Sequence, residues 1–163
     1  MKKNNFFVKK NKSFEPYVIA EIGVNHECSI SNAKKLIKDA KEGGAKAVKF
    51  QSYKAETLSS KNAKAYWDIN KEKSTNQYNL FKKYDKFNEE DYVKLKKYSK
   101  KIGITFLSTP FDNTAVDYLN KIVSFYKIAS ADITNLPLIE HISSKKKPII
   151  LSTGGSNLKE IEI

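Results

Sequence analysis

The sequence predicts an α/β fold organised around a parallel β-sheet. Three observations carry this. Strand-like and helix-like runs alternate along nearly the whole chain. The segments between successive strand-like runs reach the roughly dozen-residue crossover that parallel pairing requires. Each strand-like run also ends in polar residues, where α/β folds collect their chemistry. Two architectures meet these conditions. A five-stranded doubly wound sheet would be complete within 163 residues. A (β/α)8 TIM barrel needs eight strands and about 250 residues, so this chain would supply about its first five β/α units.

The elements follow in order. Residues 1–16 read as an N-terminal extension, basic at its start and without the apolar core of a signal peptide. Residues 17–163 read as one unit. Tyr17 to Ile22 predicts the first strand, and Ala33 to Glu42 a helix stopped by Gly43-Gly44. Ala47 to Phe50 is the second strand, followed by a long polar stretch from Ser52 to Asp85. Asn88 to Ile102 is the strongest helix: Asn88 stands three residues before Asp91 as a capping pair, and Phe87 and Tyr92 are spaced for a hydrophobic staple. Gly103 ends it. Ile104 to Leu107 is the third strand, and Asp112 caps a helix through Ile122. Ser124 to Ile128 is the fourth strand, and Asn135 opens a helix to Ser144 with Pro137 in its first turn. Pro148 to Leu151 is the fifth strand, and Asn157 with Glu160 opens a last helix that carries no stop signal. That ending favours the barrel, as a truncated chain.

Composition narrows the function classes. With 40% hydrophobic and 12% aromatic residues, there is enough apolar side chain for one core. A single cysteine, Cys28, excludes a disulfide framework and a multi-cysteine zinc site, and fits a reducing compartment. No apolar run is long enough to cross a bilayer. These features lead us to expect a soluble, cytoplasmic protein. The net charge of +12 raises nucleic acid as a partner. All 30 basic residues are lysine, however, and arginine is the residue that forks onto phosphates and guanine edges. The lysines also recur beside Glu and Asp on helix surfaces, so a solvated basic surface is expected and no nucleic-acid partner.

The strand ends hold the candidate chemistry. Glu21 interrupts an apolar run, and a carboxylate there needs a partner; Gly23, Asn25 and His26 follow it. Lys49 and Gln51 are alternate residues, so they share one face of the second strand. Thr109 and Phe111 lie after the third strand, Lys127, Ser130 and Asp132 at the fourth, and Ser152 with Gly154-Gly155 after the fifth. Two lysines, several hydroxyls and glycine-rich backbone on one rim make a receptacle for a small phosphate ester. Cys28 reads as inert, His141 as a surface residue, and Trp67 as packing.

The strings Ile19-Ala20-Glu21-Ile22-Gly23-Val24-Asn25-His26, Val48-Lys49-Phe50-Gln51-Ser52-Tyr53-Lys54 and Phe106-Leu107-Ser108-Thr109-Pro110-Phe111-Asp112 resemble the sialic acid (N-acetylneuraminate) synthase family. So do Tyr126-Lys127-Ile128-Ala129-Ser130, Asp132 to Ile139, and Ile149-Ile150-Leu151-Ser152-Thr153-Gly154. The resemblance runs from Tyr17 to the last residue and covers the N-terminal part of the family's TIM barrel. It implies a transferase that condenses phosphoenolpyruvate with an N-acetylmannosamine-type sugar, giving a nonulosonic acid and phosphate.

By the same resemblance, Lys49, Gln51, Thr109, Lys127, Ser130 and Ser152 would hold the phosphate and carboxylate of phosphoenolpyruvate. Glu21 would act beside the reacting carbons, with Lys49 and Lys127 as its catalytic companions. Phe111 would line the site and Asp132 would accept sugar hydroxyls. A divalent metal, Mn2+ or Mg2+, would polarise the aldehyde, its histidine ligands lying beyond Ile163, and the full-length enzyme would be a homodimer. The chain departs from the family pattern at Cys28, where Gly is common, at Ala131-Asp132, where Gly-Glu is common, and at Gly155, where Met is common. Asn76 is a candidate for the family's sugar-contacting asparagine. The 163 residues alone are expected to be inactive, with two long apolar strand edges left open. The rival reading is a non-catalytic α/β module that binds a phosphorylated ligand.

Overall fold

The computed structural model describes residues 16–162. The expected N-terminal extension therefore lies outside the described residues except for Pro16. Five parallel strands are present: β1 (Ile19–Gly23), β2 (Ala47–Ser52), β3 (Thr105–Pro110), β4 (Tyr126–Ile128) and β5 (Ile149–Leu151). Their order in space is their order in the chain. β1, β2 and β3 form one hydrogen-bonded sheet and β4 and β5 a second, with β3 packed beside β4. The continuous five-stranded ladder implied by the sequence is thus broken once among the described residues. A doubly wound sheet reverses its strand order at a switch point. Here the order never reverses, which is the wall of a barrel.

The helices are α1 (Ile30–Glu42), α2 (Ala55–Leu58), α3 (Gln77–Tyr84), α4 (Glu89–Ile102), α5 (Asn113–Asn120), α6 (Leu136–Ser144) and α7 (Leu158–Ile161). The Asn88–Asp91 capping box forms, the staple rings of Phe87 and Tyr92 meet edge-on at 5.9 Å, and Gly103 takes the left-handed conformation at φ 74°. Asn157 and Glu160 form a second capping box at α7. Several boundaries move: β2 and β3 run on to Ser52 and Pro110 rather than ending at Phe50 and Leu107, and β1 spans Ile19–Gly23 rather than Tyr17–Ile22. Helix α1 begins three residues before Ala33, because the Ser29 side chain caps it by accepting from the Asn32 amide. Helix α5 ends at Asn120 rather than Ile122, and β4 begins at Tyr126 rather than Ser124.

The polar stretch after β2 is ordered by side-chain bonds rather than by apolar periodicity. The buried Asp85 carboxylate accepts from the Ala55 amide at 3.1 Å, and Lys54 Nζ donates to the Asp85 and Phe87 carbonyls at 2.7 and 3.1 Å. Trp67 Nε1 donates to the Glu72 and Ser74 carbonyls, each at 3.2 Å, closing its own loop.

One face of the sheet makes the core. Val48, Phe50, Phe106, Tyr126 and Ile128 alternate outward and pack against Ala33, Ile37, Leu95, Val116, Leu119, Leu138 and Ile142 of the helices. The intervening residues, Lys49, Gln51 and Lys127, project from the opposite face. The open edges are shorter than expected: β5 has only three residues, with Ile149 and Leu151 each 37% exposed.

Candidate active site

Register assembles the site. Glu21 pairs across the ladder with Lys49, and Gln51 with Thr109, so all four stand on the face opposite the helices. Lys49 is the hub. It forms an ion pair with Glu21 and donates to Thr109 Oγ1 at 3.1 Å, reaching along β3 toward its carboxyl end. Its side chain is 12% exposed and that of Glu21 49%. The Gln51 amide lies over Gly23, where a Cβ would stand 3.3 Å from Glu21 Oε1 and 3.6 Å from Gln51 Nε2. With φ at +56° as well, that position demands glycine.

The second cluster comes from β4 and β5. Lys127 Nζ donates to Ser152 Oγ at 2.5 Å and to the Ile128 carbonyl at 2.6 Å. Burial holds its pKa below the ordinary lysine range, Lys49 lowers it further, and Glu21 offsets part of this. The two ammonium groups therefore repel across the site, a field that a multiply charged anion would relieve. Ser130 Oγ stands 3.8 Å from where a Gly154 Cβ would be. Ser130 and Gly154 share a cleft of about 420 Å3 with Thr134 and Ser156.

Two further expected residues make other contacts. Phe111 packs edge-on to Tyr53 at 6.1 Å. Asp132 sits in a 3-10 turn (Ser130–Asp132), where Oδ1 faces Asn135 Nδ2 at 3.4 Å and Oδ2 is buried without a hydrogen-bond partner. Burial raises its pKa, and Asn135 offsets part of the rise. The Asn76 side chain caps α3, accepting from the Asn79 amide at 2.8 Å. His141 is tied to Asp117 at 2.9 Å on the outer surface. Cys28 is half-buried with φ +60°, a backbone state that suits the glycine common at this place in the family.

His26 is the residue the rim pattern misplaced. It is 1% exposed, stacked on Phe87 at 4.2 Å, with Nδ1 accepting from the Cys28 amide at 3.1 Å. Nothing local in the sequence distinguishes it from a solvent-facing loop residue. Desolvation lowers its pKa from 6.5 to about 4, with the Gly23 carbonyl opposing. Above pH 6.5 the imidazole is neutral in both states, and as pH falls towards 4 the unfolded chain takes up a proton that the fold does not, which lowers stability by on the order of 2–3 kcal/mol. Urea denaturation across this range should show the loss in the wild type and a flatter profile in His26→Phe. Equal slopes would refute the assignment.

Among the described residues no three His, Cys, Asp or Glu side chains converge as metal ligands. The described residues do not by themselves fit a divalent ion.

Residues 36–163 match the model of the NeuB family. The chain belongs to the NeuB family. It is 40% identical over 165 residues to N,N'-diacetyllegionaminic acid synthase of Legionella pneumophila, covering 99% of this chain and 46% of that protein. It is 34% identical over 139 residues to N-acetylneuraminate-9-phosphate synthase of Mus musculus, covering 85% and 39%. A crystal structure of N-acetylneuraminic acid synthetase from Leptospira borgpetersenii, in complex with citrate, superposes with a TM-score of 0.77 at 35% identity, covering 90% of this chain and 47% of that one. This NeuB-family chain thus spans less than half the length of these relatives, and what it matches is their barrel wall.

Proposed function

We propose that these residues form the anion-binding wall of a nonulosonic acid synthase that condenses phosphoenolpyruvate with an N-acetylmannosamine-type 2-acetamido sugar. The observation that carries this is the convergence of Lys49 and Lys127, each bonded to a hydroxyl, from different strands onto one face. Phosphoenolpyruvate carries close to three negative charges, which two ammonium groups and the hydroxyls of Thr109, Ser130 and Ser152 suit. The electron pair of its C2–C3 double bond would attack the sugar's aldehyde carbon from C3, the carbonyl π pair moving onto the aldehyde oxygen, which takes up a proton and becomes a hydroxyl. Water would then add at C2 and lose a proton. The C2–O bond to phosphate would break, leaving a ketone and inorganic phosphate. Glu21, half-exposed and held by Lys49, would orient that water or take its proton. The lysines would stabilise the charge that collects on the departing phosphate.

At full length the enzyme would act as a cytoplasmic homodimer with Mn2+ or Mg2+; no helix among the described residues is long and apolar enough to cross a membrane. The test is phosphate release by the full product of the gene. We expect release that requires both phosphoenolpyruvate and a 2-acetamido sugar, and none from these 163 residues alone. Binding of phosphoenolpyruvate by the full product without release for any such sugar would favour a non-catalytic module.

A further inference from the structure

The outer face of β2 and β3 is apolar as far as Phe50 and Phe106 and then turns to hydroxyls. Ser52 and Ser108, both fully buried, share a 2.6 Å hydrogen bond. Tyr92 and Tyr118 pack there with rings stacked at 5.9 Å and 16°, and the Tyr118 hydroxyl lies toward Ser52. The Tyr92 hydroxyl donates at 2.7 Å to the backbone carbonyl of Gln51. That carbonyl needs a partner from outside the sheet. The next one along, that of Ser52, accepts from the Phe111 amide beyond β3. Successive carbonyls of a strand face opposite neighbours. Gln51 therefore looks toward β1, and β1 has already ended at Gly23, whose partner is Phe50. A buried carbonyl without a partner would be costly and its strand end loose.

We propose that Tyr92 is a positioning residue, whose hydroxyl clamps the carboxyl end of β2 from behind and so sets where the side chains of Lys49 and Gln51 meet the phosphoenolpyruvate anion. This rests on the function proposed above. Tyr92 touches no reacting group; it acts through the backbone of Gln51. Its ring has a separate task, packing on Phe87, Phe106 and Tyr118, which phenylalanine would keep. Burial pushes its hydroxyl pKa well up, so it stays a donor across the working pH range.

Calorimetric titration of the full gene product with phosphoenolpyruvate tests the assignment. Tyr92→Phe should melt cooperatively yet bind phosphoenolpyruvate about tenfold more weakly, roughly the loss of one buried hydrogen bond. Its KM for the sugar should not move, and amide hydrogen exchange at residues 50–53 should quicken. Tyr118→Phe, from the same layer but without a bond to a site residue's backbone, should bind as the wild type does. Wild-type affinity in Tyr92→Phe, or an equal loss in Tyr118→Phe, would overturn the positioning role alone. A wild-type protein that binds no phosphoenolpyruvate would overturn the function and this role together.

Discussion

On the function proposed above, replacing Lys127 by methionine in the full gene product should lower kcat/KM for phosphoenolpyruvate by about 10^2–10^3-fold, the scale seen when one preorganised electrostatic contact is removed from a developing anion. Methionine keeps most of the lysine stem, so the packing around β4 survives and only the charge goes. The effect should be large because Lys127 donates to Ser152 and to the Ile128 carbonyl, and its ammonium is held in place before any ligand arrives. A pH signature accompanies it. The pKa of Lys127 lies below the ordinary lysine range, so wild-type affinity for phosphoenolpyruvate should decline on the alkaline side earlier than for an ordinary lysine. The methionine variant should lack that limb. Steady-state phosphate release and titration calorimetry between neutral and alkaline pH would measure both. A variant within about threefold of wild type would show that Lys127 is a structural tie and no part of the anion site.

The largest expected effect on stability is at Phe50. Phe50→Ala should cost about 3–5 kcal/mol, as for other buried aromatic truncations. That is a large share of what a domain of this size has to lose. Phe50 is 0% exposed, with its ring 5.3 Å from Phe106 and 5.5 Å from His26. It also sits between Lys49 and Gln51, so a cavity there removes support from both. Guanidinium denaturation followed by circular dichroism gives the number. A cost under about 1 kcal/mol would mean that the β1–α1 loop collapses into the space.

Features encoded within a few residues were legible in the sequence. The capping boxes at Asn88 and Asn157 depend on positions three apart, and the alternation that turns Lys49, Gln51 and Lys127 away from the core has a period of two. The gathering of polar residues at five successive strand ends was likewise visible in the sequence. The segment after β2 was opaque for the opposite reason. Helices α2 and α3 are short, and their ties, such as Asp85 to the Ala55 amide, span thirty residues.

Local rules and chain order therefore sufficed to establish the strand and helix alternation, the inward lysines and the family. The packed structure alone decided the pairings: Lys49 with Thr109, sixty residues on, and Lys127 with Ser152, twenty-five residues on. It also buried His26, which read as a rim residue, and brought Tyr92 behind Gln51. The physical reason is that period and caps are properties of neighbouring residues in the chain. Burial, hydrogen-bond partners and pKa depend on what distant segments bring, and those segments meet only when the sheet and its helices close on one another.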